Sequence, residues 1–469
     1  MTEQAVDLIV VGGGPAGYVA ALRGAQLGAR VQLIEEAALG GTCLNVGCIP
    51  TKTLLHSAHL YTEIKKAKTY GIEVQGASLN LAAVLARKDQ VVRRLTGGVA
   101  GLLRQAGVEV VKGKARLVAK DRVALEGPEP REVAARAVLI ATGSETVDLP
   151  IARLNGRNIV GSTEALSLPE VPPRLLIIGG GVIGCEFASI YQAFGSQVTI
   201  IEAEEQLLPR EDPEIAGVLA RELARSGVTV LTAARLQSLA ESGEGRLTAT
   251  VKGRDGAERL LEAEVALVSV GRRPRVAGLG LEALGVKVER SGIVVDERGE
   301  TTVKGVFAAG DVTGGWQLAH VAFHEGAAAA ENALGRGEPL RLRAVPRCVY
   351  TSPEVASVGL SEPEAQKVHG TLKVGRFPFA ANGKALAMGE TAGLVKVIAE
   401  AHYDQVVGVA IVGPGATELV GEAALAIAQE CTLAELIEGV HAHPTLTEAL
   451  REAALAAAGR PLHTGHERL

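Results

Sequence analysis

Two stretches of this chain carry the same plan, and that plan leaves few folds open. In the first, the apolar run Val6–Val11 leads into Gly12-Gly13-Gly14-Pro15-Ala16-Gly17, a helical pattern covers Tyr18–Leu27, and a second apolar run, Arg30–Glu35, ends in an acid. In the second, Arg174–Ile178 leads into Gly179-Gly180-Gly181-Val182-Ile183-Gly184, a helix runs through Phe194, and Gln197–Glu202 again ends in an acid. Each reads as strand, tight turn, helix, strand, the unit that builds a parallel sheet with helices over its faces. The glycines have separate tasks: the first permits the turn, the second lets the backbone approach a pyrophosphate, and the third lets helix and strand pack closely. The pyrophosphate would sit at the helix N-terminus, where free N–H groups meet its charge. One such stretch is weak evidence, because glycine-rich turns are common; two, each with its strand-end acid, predict two dinucleotide sites.

Glu35 and Glu202 stand where a carboxylate would accept hydrogen bonds from ribose hydroxyls, the competing reading being an exposed strand terminus. After Glu202 come Ala203-Glu204-Glu205, with no neighbouring Arg or Lys for a 2′-phosphate. That predicts NAD rather than NADP at the second site. At 469 residues the chain has room for about two to four domains. A net charge of −5 with both signs interspersed gives no reason to propose nucleic acid or an anionic membrane as partner, and Lys65, Lys66, Lys68, Arg93 and Arg94 read as solvated helix faces. The start Met1–Ala5 lacks a basic region ahead of its apolar run, and the alanine-rich C-terminal stretches are broken by charges such as Arg451 and Glu452. A soluble, cytoplasmic protein is the expectation.

Between the two units lies GGTCLNVGCIPTK, residues 40–52, with Cys43 and Cys48 five positions apart at an expected helix start. The two are close enough for a disulfide that opens and closes without unfolding anything, and glycines flank them so that a flat ring could approach. A helix N-terminus and a nearby cation lower a thiol pKa, and the thiolate is what attacks a disulfide. Lys52, four residues after Cys48, shares its helical face. Two inert buried cysteines would fit a Gly-rich loop poorly. A zinc site fits worse, since no second ligand pair follows, and no metal is expected. Cys185, Cys348 and Cys431 lie in apolar helix or strand contexts and read as small core residues. His320 and His324 share an i, i+4 face without a third ligand, so packing is the favoured reading, with His320 a possible lining of a cofactor pocket.

The combination GGTCLNVGCIPTK, ATG at 141–143, GGGVIG at 179–184, GRRP at 271–274, AAGD at 308–311 and HAHPTLTE at 441–448 resembles the flavin-dependent pyridine nucleotide–disulfide oxidoreductases. The resemblance covers essentially the whole chain in order, and within the family it is greatest to the branch that oxidises dihydrolipoyl groups with NAD. Thr51 stands where Ser is more usual, which keeps the hydroxyl.

The resemblance implies roles. Gly12, Gly14, Gly17 and Glu35 would bind the ADP half of FAD, Lys52 would lie beside the flavin, and Ala115 would meet the adenine through its backbone. Ala141, Thr142 and Gly143 would form the crossing between the two nucleotide domains. Gly310 and Asp311 would bind the ribityl chain, with Ala319 completing that site. Gly181, Gly184, Glu202, Leu236 and Gly271 would contact NAD, and Glu186 would pair with Lys52. Cys43 would exchange with substrate and Cys48 would face the flavin. His443 would be the base that takes the dithiol proton, with Glu448 holding its other nitrogen; His441 ranks behind it because Pro444-Thr445 align the motif on His443. The family also implies a homodimer in which this His serves the disulfide of the other subunit, and lipoyl-bearing proteins of a multienzyme complex as partners. Tyr350, Thr351, Pro353 and Glu354 match a family strand that reads as structural.

The expected fold class is α/β: two Rossmann-like dinucleotide-binding domains plus a central segment and a C-terminal α+β dimerisation domain. The expected division is 1–148 for the first part of the FAD domain, 149–273 for the NAD domain, 274–345 for the segment completing the FAD domain, and 346–469 for the interface domain. The alternative function is another FAD- and NAD(P)H-dependent disulfide reductase. The missing 2′-phosphate cluster counts against a glutathione enzyme, and the absence of vicinal cysteines in Leu462–Leu469 counts against a mercuric one. A non-enzymatic redox-responsive flavoprotein would leave His443 and the second nucleotide site without a task.

Overall fold

The computed structural model describes residues 6–126 and 130–465, so Met1–Ala5, on which the N-terminal reading rests, lie outside the described residues, as do the last four. The apolar run Val6–Val11 forms a strand because it is covered on both sides: Leu8, Ile9 and Val10 have no exposed surface. It pairs in parallel with Val31–Glu35 on one side and with Arg131–Ile140 on the other. Glu109–Lys112 extends the sheet beyond Val31–Glu35, and Val306–Ala308 lies along the far edge of Arg131–Ile140, again parallel. The strand Arg131–Ile140 has two characters. Its first half alternates exposed and half-buried positions and pairs antiparallel with Arg122–Glu126, which pairs with Lys114–Ala119. From Ala137 on it is continuously buried in the parallel core.

A second parallel sheet has the strand order Thr229–Leu231, Gln197–Ile201, Arg174–Ile178, Val265–Val268, Ile159–Val160. A three-stranded meander, Arg235–Ser242, Arg246–Lys252 and Glu258–Ala263, accompanies it. The duplication seen in sequence extends to individual hydrogen bonds. Gly12 N–H donates to Ile34 O at 2.8 Å and Gly179 N–H to Ile201 O at 2.8 Å, while Ala141 N–H reaches Val11 O at 2.7 Å and Ser269 N–H reaches Ile178 O at 2.8 Å. The short strands Ser144–Thr146 and Arg272–Pro274 pair antiparallel where the chain leaves one sheet and returns from the other.

The third sheet is antiparallel, in the order Arg347–Val349, Glu354–Gly359, Val406–Gly413, Leu394–Glu400, Leu372–Pro378. Its central strand Val406–Gly413 is buried throughout, and the helices Ala416–Ala428 and Glu448–Ala457 add Ala423, Leu450 and Ala453 to the same core. A buried ionic cluster ties this sheet to the second one. Lys396, 2% exposed, lies 3.0 Å from both oxygens of Asp212, 3.0 Å from Glu214 and 2.5 Å from Glu362. Asp212 also caps the helix Pro213–Arg225 by accepting from Glu214 N–H. Burial pushes the Asp212 carboxyl up, but the Glu362 N–H and Lys396 outweigh it and hold it below its usual range. Among the described residues no helix is long and apolar enough to cross a membrane.

Several local expectations need correction. The strand expected over Gln197–Glu202 ends at Ile201, because Glu202 turns back to bond the glycine loop. Cys431 lies in the connection after the helix Ala416–Ala428 rather than within an element, although it packs on the third core. Lys65 is more than a solvated charge: its ammonium reaches Ala193 O at 3.2 Å and sits 3.9 Å over the Tyr61 ring.

Candidate active site

Each glycine turn is shaped by close contact. A methyl at Gly17 would stand 1.8 Å from Gly12 O, and one at Gly184 would stand 2.0 Å from Gly179 O, so only glycine lets helix meet strand there. At Gly14 the nearest atom would be Gly41 Cα at 3.8 Å, and at Gly181 nothing lies within 4 Å. The helices Pro15–Gln26 and Val182–Phe194 therefore each present an open, uncrowded N-terminus, the cradle a pyrophosphate requires. Glu35 accepts from Gly13 N–H at 2.6 Å and Ala37 N–H at 2.7 Å; Glu202 accepts from Gly180 N–H at 2.6 Å and Glu204 N–H at 2.8 Å. Both carboxylates are thus fixed beside their glycine loops by one and the same bonding pattern. A cation that the local sequence does not show reaches Glu205, three residues after Glu202: Arg254 pairs with it at 2.6 Å, both largely exposed.

The redox loop packs directly on the first glycine turn. Gly40 N–H donates to Gly13 O at 2.8 Å, and Gly41 abuts Gly14. Two helices, one short and one long, replace the single helix start expected from sequence. Cys43 lies within Gly41–Val46, and Cys48 opens Cys48–Lys66, with Gly47 between them. The break at Gly47 turns the two sulfurs toward each other. The Cys43 thiol hydrogen-bonds the Cys48 sulfur and brings Cys48 down to about 7 against the effect of burial, while Lys52 adds to the lowering and Glu186 opposes it. The same bond, with burial and the Cys48 charge, pushes Cys43 upward. Cys48 is therefore the resident thiolate of the reduced pair.

Lys52 reaches out of the first unit to Glu186 of the helix Val182–Phe194, with its ammonium 2.8 Å from both carboxylate oxygens. Glu186 is buried, 4% exposed in its side chain, and also accepts from Tyr350 N–H at 3.1 Å. The Tyr350 ring lies 4.6 Å from the Lys52 ammonium, and burial first, then neighbouring negative charge, pushes its hydroxyl up to about 12. Tyr350, expected to be structural, is thus part of this constellation; the turn between Arg347–Val349 and Glu354–Gly359 folds it back onto the pair. Nothing in the sequence around Tyr350 signals that contact.

A second missed group centres on Arg272. Its guanidinium is largely buried, donates to Ser144 Oγ at 2.8 Å and Ser144 O at 2.7 Å, and lies 3.5 Å from Thr42 Oγ1. Burial pushes its pKa down, and Asp311, Cys48 and Glu145 push it back up. Ser144 in turn donates to Asp311 at 2.5 Å. The GRRP motif was the available signal for Arg272.

The remaining candidates are placed as follows. Ala141 O lies against Gly12; Thr142 Oγ1 donates to Arg275 O at 2.8 Å; and Gly143 O accepts from Arg275 N–H at 2.9 Å. Gly310 packs on Ala16, and Ala319 opens the helix Ala319–Ala333. Ala115 is buried in the antiparallel meander. Leu236 packs in the second unit, and Gly271 accepts from Val147 N–H at 3.1 Å. His320 Nε2 bonds Pro346 O at 2.9 Å. His59, Glu63 and Glu390 bring donor atoms within 4.8 Å of one another, an open grouping with His59 exposed.

His443 and Glu448 meet each other but not the cysteines. His443 Nδ1 lies 2.9 Å from Glu448 Oε1, and the other carboxylate oxygen accepts from Thr445 N–H at 2.8 Å. Burial pushes Glu448 up, and the Thr445 N–H and His443 more than offset it, so it stays ionised below the usual range. The imidazole is 77% exposed, with Nε2 unengaged by any hydrogen bond among the described residues. His441 is differently held, between Glu422 at 2.9 Å and Gly439 O at 3.0 Å.

The family model for pyridine nucleotide-disulphide oxidoreductases matches residues 6–326, and that for their dimerisation domain matches 345–454. The chain is 44% identical to the dihydrolipoyl dehydrogenase of Bacillus subtilis over 465 residues, 98% of this chain and 100% of that one. It is 41% identical to the mitochondrial dihydrolipoyl dehydrogenase of Pisum sativum over 97% of this chain and 92% of that one. Among solved structures, LpdA from Mycobacterium tuberculosis superposes with a TM-score of 0.88 at 32% identity, covering 96% of this chain and 99% of that one. The HOCl-induced flavoprotein disulfide reductase RclA from Escherichia coli gives a TM-score of 0.84 at 31% identity, with the same coverage. With both family models spanning nearly all of its length and its glycine turns, cysteine pair and His–Glu pair in place, the chain belongs to the pyridine nucleotide-disulphide oxidoreductases.

Proposed function

We propose that the chain oxidises dihydrolipoyl groups to lipoyl with NAD as acceptor, through a Cys43–Cys48 redox disulfide and FAD. The observation that carries this reading is the hydrogen-bonded cysteine pair beside the first glycine turn, joined by Lys52–Glu186 to the helix that opens the second. The donor set fits both cofactors. Gly12, Gly14, Gly17, Glu35, Ala115, Asp311 and Ala319 would hold FAD, with Ala141, Thr142 and Gly143 at the crossing; Gly181, Gly184, Glu202, Leu236 and Gly271 would hold NAD. FAD, when bound, supplies the two-electron relay between a thiolate and NAD that no side chain offers.

This chain's residues do the rest. His443 Nε2 takes the proton of one substrate thiol, while Glu448 holds Nδ1 and fixes the tautomer. The substrate thiolate attacks the Cys43 sulfur of the disulfide, and Cys48 leaves as a thiolate. The second substrate thiol attacks the substrate sulfur of the mixed disulfide and passes its proton to the departing Cys43 sulfur, which is released as a thiol. Lipoyl leaves oxidised, and the cysteine pair holds the two electrons, which pass on to NAD as the disulfide reforms. Lys52 stabilises the Cys48 thiolate in the interval.

The domain division is 1–148 with 274–345 for FAD, 149–273 for NAD and 346–469 for the interface. The matched dimerisation domain supports a homodimer. In it the outward-facing His443 would serve the partner's disulfide, and lipoyl-bearing proteins of a 2-oxoacid dehydrogenase complex or of the glycine cleavage system would be the substrates. The test is NADH formation from NAD and dihydrolipoamide by the purified flavoprotein, run beside glutathione disulfide with NADPH. Turnover in the first assay alone is expected. Turnover only in the second, or in neither while NADH still bleaches the flavin, overturns the lipoyl assignment.

A further inference from the structure

One half-buried carboxylate near the proposed flavin site has no part in the chemistry above. Glu325 lies in the helix Ala319–Ala333, and its Oε2 accepts the Gly310 N–H at 2.8 Å. The other side of that residue is held as well: Thr313 Oγ1 donates to Gly310 O at 2.9 Å, and Gly314 N–H donates to Asp311 O at 3.0 Å. Gly310 adopts φ +79, a left-handed conformation that needs such support, and a methyl there would press on Ala16 Cβ at 3.0 Å. Glu325 has little freedom to move away. Its neighbour Gly326 packs against the helix Pro15–Gln26 so closely that a methyl would stand 2.2 Å from Ala16 O. Burial first, and then the Asp311 charge, push the Glu325 carboxyl above its usual range, and the Gly310 N–H works against them. A half-buried acid held beside a second acid, with its carboxylate committed to a backbone N–H, calls for a task.

We infer that Glu325 is a positioning residue for FAD: by holding the Gly310 N–H it sets the turn that points the Asp311 carboxylate at the ribityl chain. The inference rests on the proposed role of Asp311. The geometry passes from Glu325 through the Gly310–Asp311 peptide to the Asp311 carboxylate, which Ser144 Oγ meets from the opposite side. Glu325 itself need not touch the cofactor.

The test measures FAD release from purified holoenzyme, followed by the rise in flavin fluorescence after dilution, with the melting temperature of the apoprotein recorded in parallel. Glu325→Ala removes the acceptor and is expected to release FAD about ten- to a hundred-fold faster, the range for losing a hydrogen bond to a charged group. Glu325→Gln keeps an amide oxygen for the Gly310 N–H and is expected to restore retention to within about two-fold of the unaltered protein. If Glu325→Ala does not fold, Glu325→Asp, one methylene too short to reach, is expected to show the same loss. Retention unchanged in Glu325→Ala or Glu325→Asp, while Asp311→Ala loses FAD, overturns the inference alone. Retention in Asp311→Ala overturns the reading of Asp311 and the inference with it. An apoprotein melting temperature lowered without faster release also overturns it, since that is the signature of a purely structural role.

Discussion

The proton affinity of Cys48 is the quantity on which the thiol chemistry turns, and Lys52→Met perturbs it in a calculable way. Cys48 is held at about 7 by the Cys43 hydrogen bond first and by Lys52 in addition, against burial and against Glu186. Lys52 lies one helical turn from Cys48, about 6 Å away by helix geometry. At that distance a unit charge contributes about 3 kcal/mol at an effective dielectric of about 20. Glu186, paired with Lys52 at 2.8 Å, remains in the variant, so removing the cation forfeits its whole contribution, a rise of about two pKa units. At about pH 7.5 the thiolate fraction of Cys48 would fall from about three quarters to a few per cent. The assay is alkylation of the dithiol-reduced enzyme by iodoacetamide across pH, with the modified cysteine assigned by tandem mass spectrometry. The expected midpoint at Cys48 moves from about 7 to about 9. A midpoint that stays put in Lys52→Met would show that the Cys43 hydrogen bond alone sets the thiolate, and the electrostatic role given to Lys52 would be wrong.

The glycine turns can be separated by substitution. Gly17→Ala is expected to cost FAD, whereas Gly184→Ala should leave the protein yellow but raise the KM for NAD; each should destabilise the fold by about 1–3 kcal/mol, read as a lower melting temperature. Equal loss of both cofactors in both variants would contradict the assignment of the two sites. Hybrid dimers test the outward-facing imidazole. Co-expressed Cys48→Ser and His443→Ala subunits, each inactive alone, should regain about a quarter of normal activity if His443 serves the other subunit, because half the dimers then hold one complete site. No recovery would place His443 with its own chain's disulfide.

What was legible in the sequence was whatever depends on residues close together along the chain. The two glycine turns, the strand-end acids and the five-residue cysteine spacing are local patterns, and the His443–Glu448 pair, implied by the family resemblance, lies within one local motif; Glu35, Glu202 and Glu448 each bond a group close by in the chain or in the adjoining turn. What was not legible depends on tertiary approach. Tyr350 stands under Lys52 because a turn in the third sheet folds back onto the first unit, and Arg254 reaches Glu205 only through the meander. The burial of Lys396 among three carboxylates follows from docking two sheets together. The split of the redox loop into two helices at Gly47 is intermediate: the glycine is visible, but whether it bends or breaks a helix is decided by the packing of Gly41 on Gly14.

The position of one short strand has a consequence for how the protein is made. Val306–Ala308 completes the first sheet, yet it emerges from the ribosome after the entire second sheet, whose strands run from Ile159–Val160 to Val265–Val268. At about 5–20 residues per second, roughly 15–60 s separate the first strand from the last one it needs. The second sheet, interrupted in the chain by no segment of the first, is therefore free to fold while the edge of Arg131–Ile140 still waits for its neighbour. Gly310 and Asp311 follow directly on that late strand, so the nascent chain cannot enclose a flavin until nearly two thirds of it has been synthesised. Pulse-labelled nascent chains should accordingly show protease protection of the second sheet before that of the first.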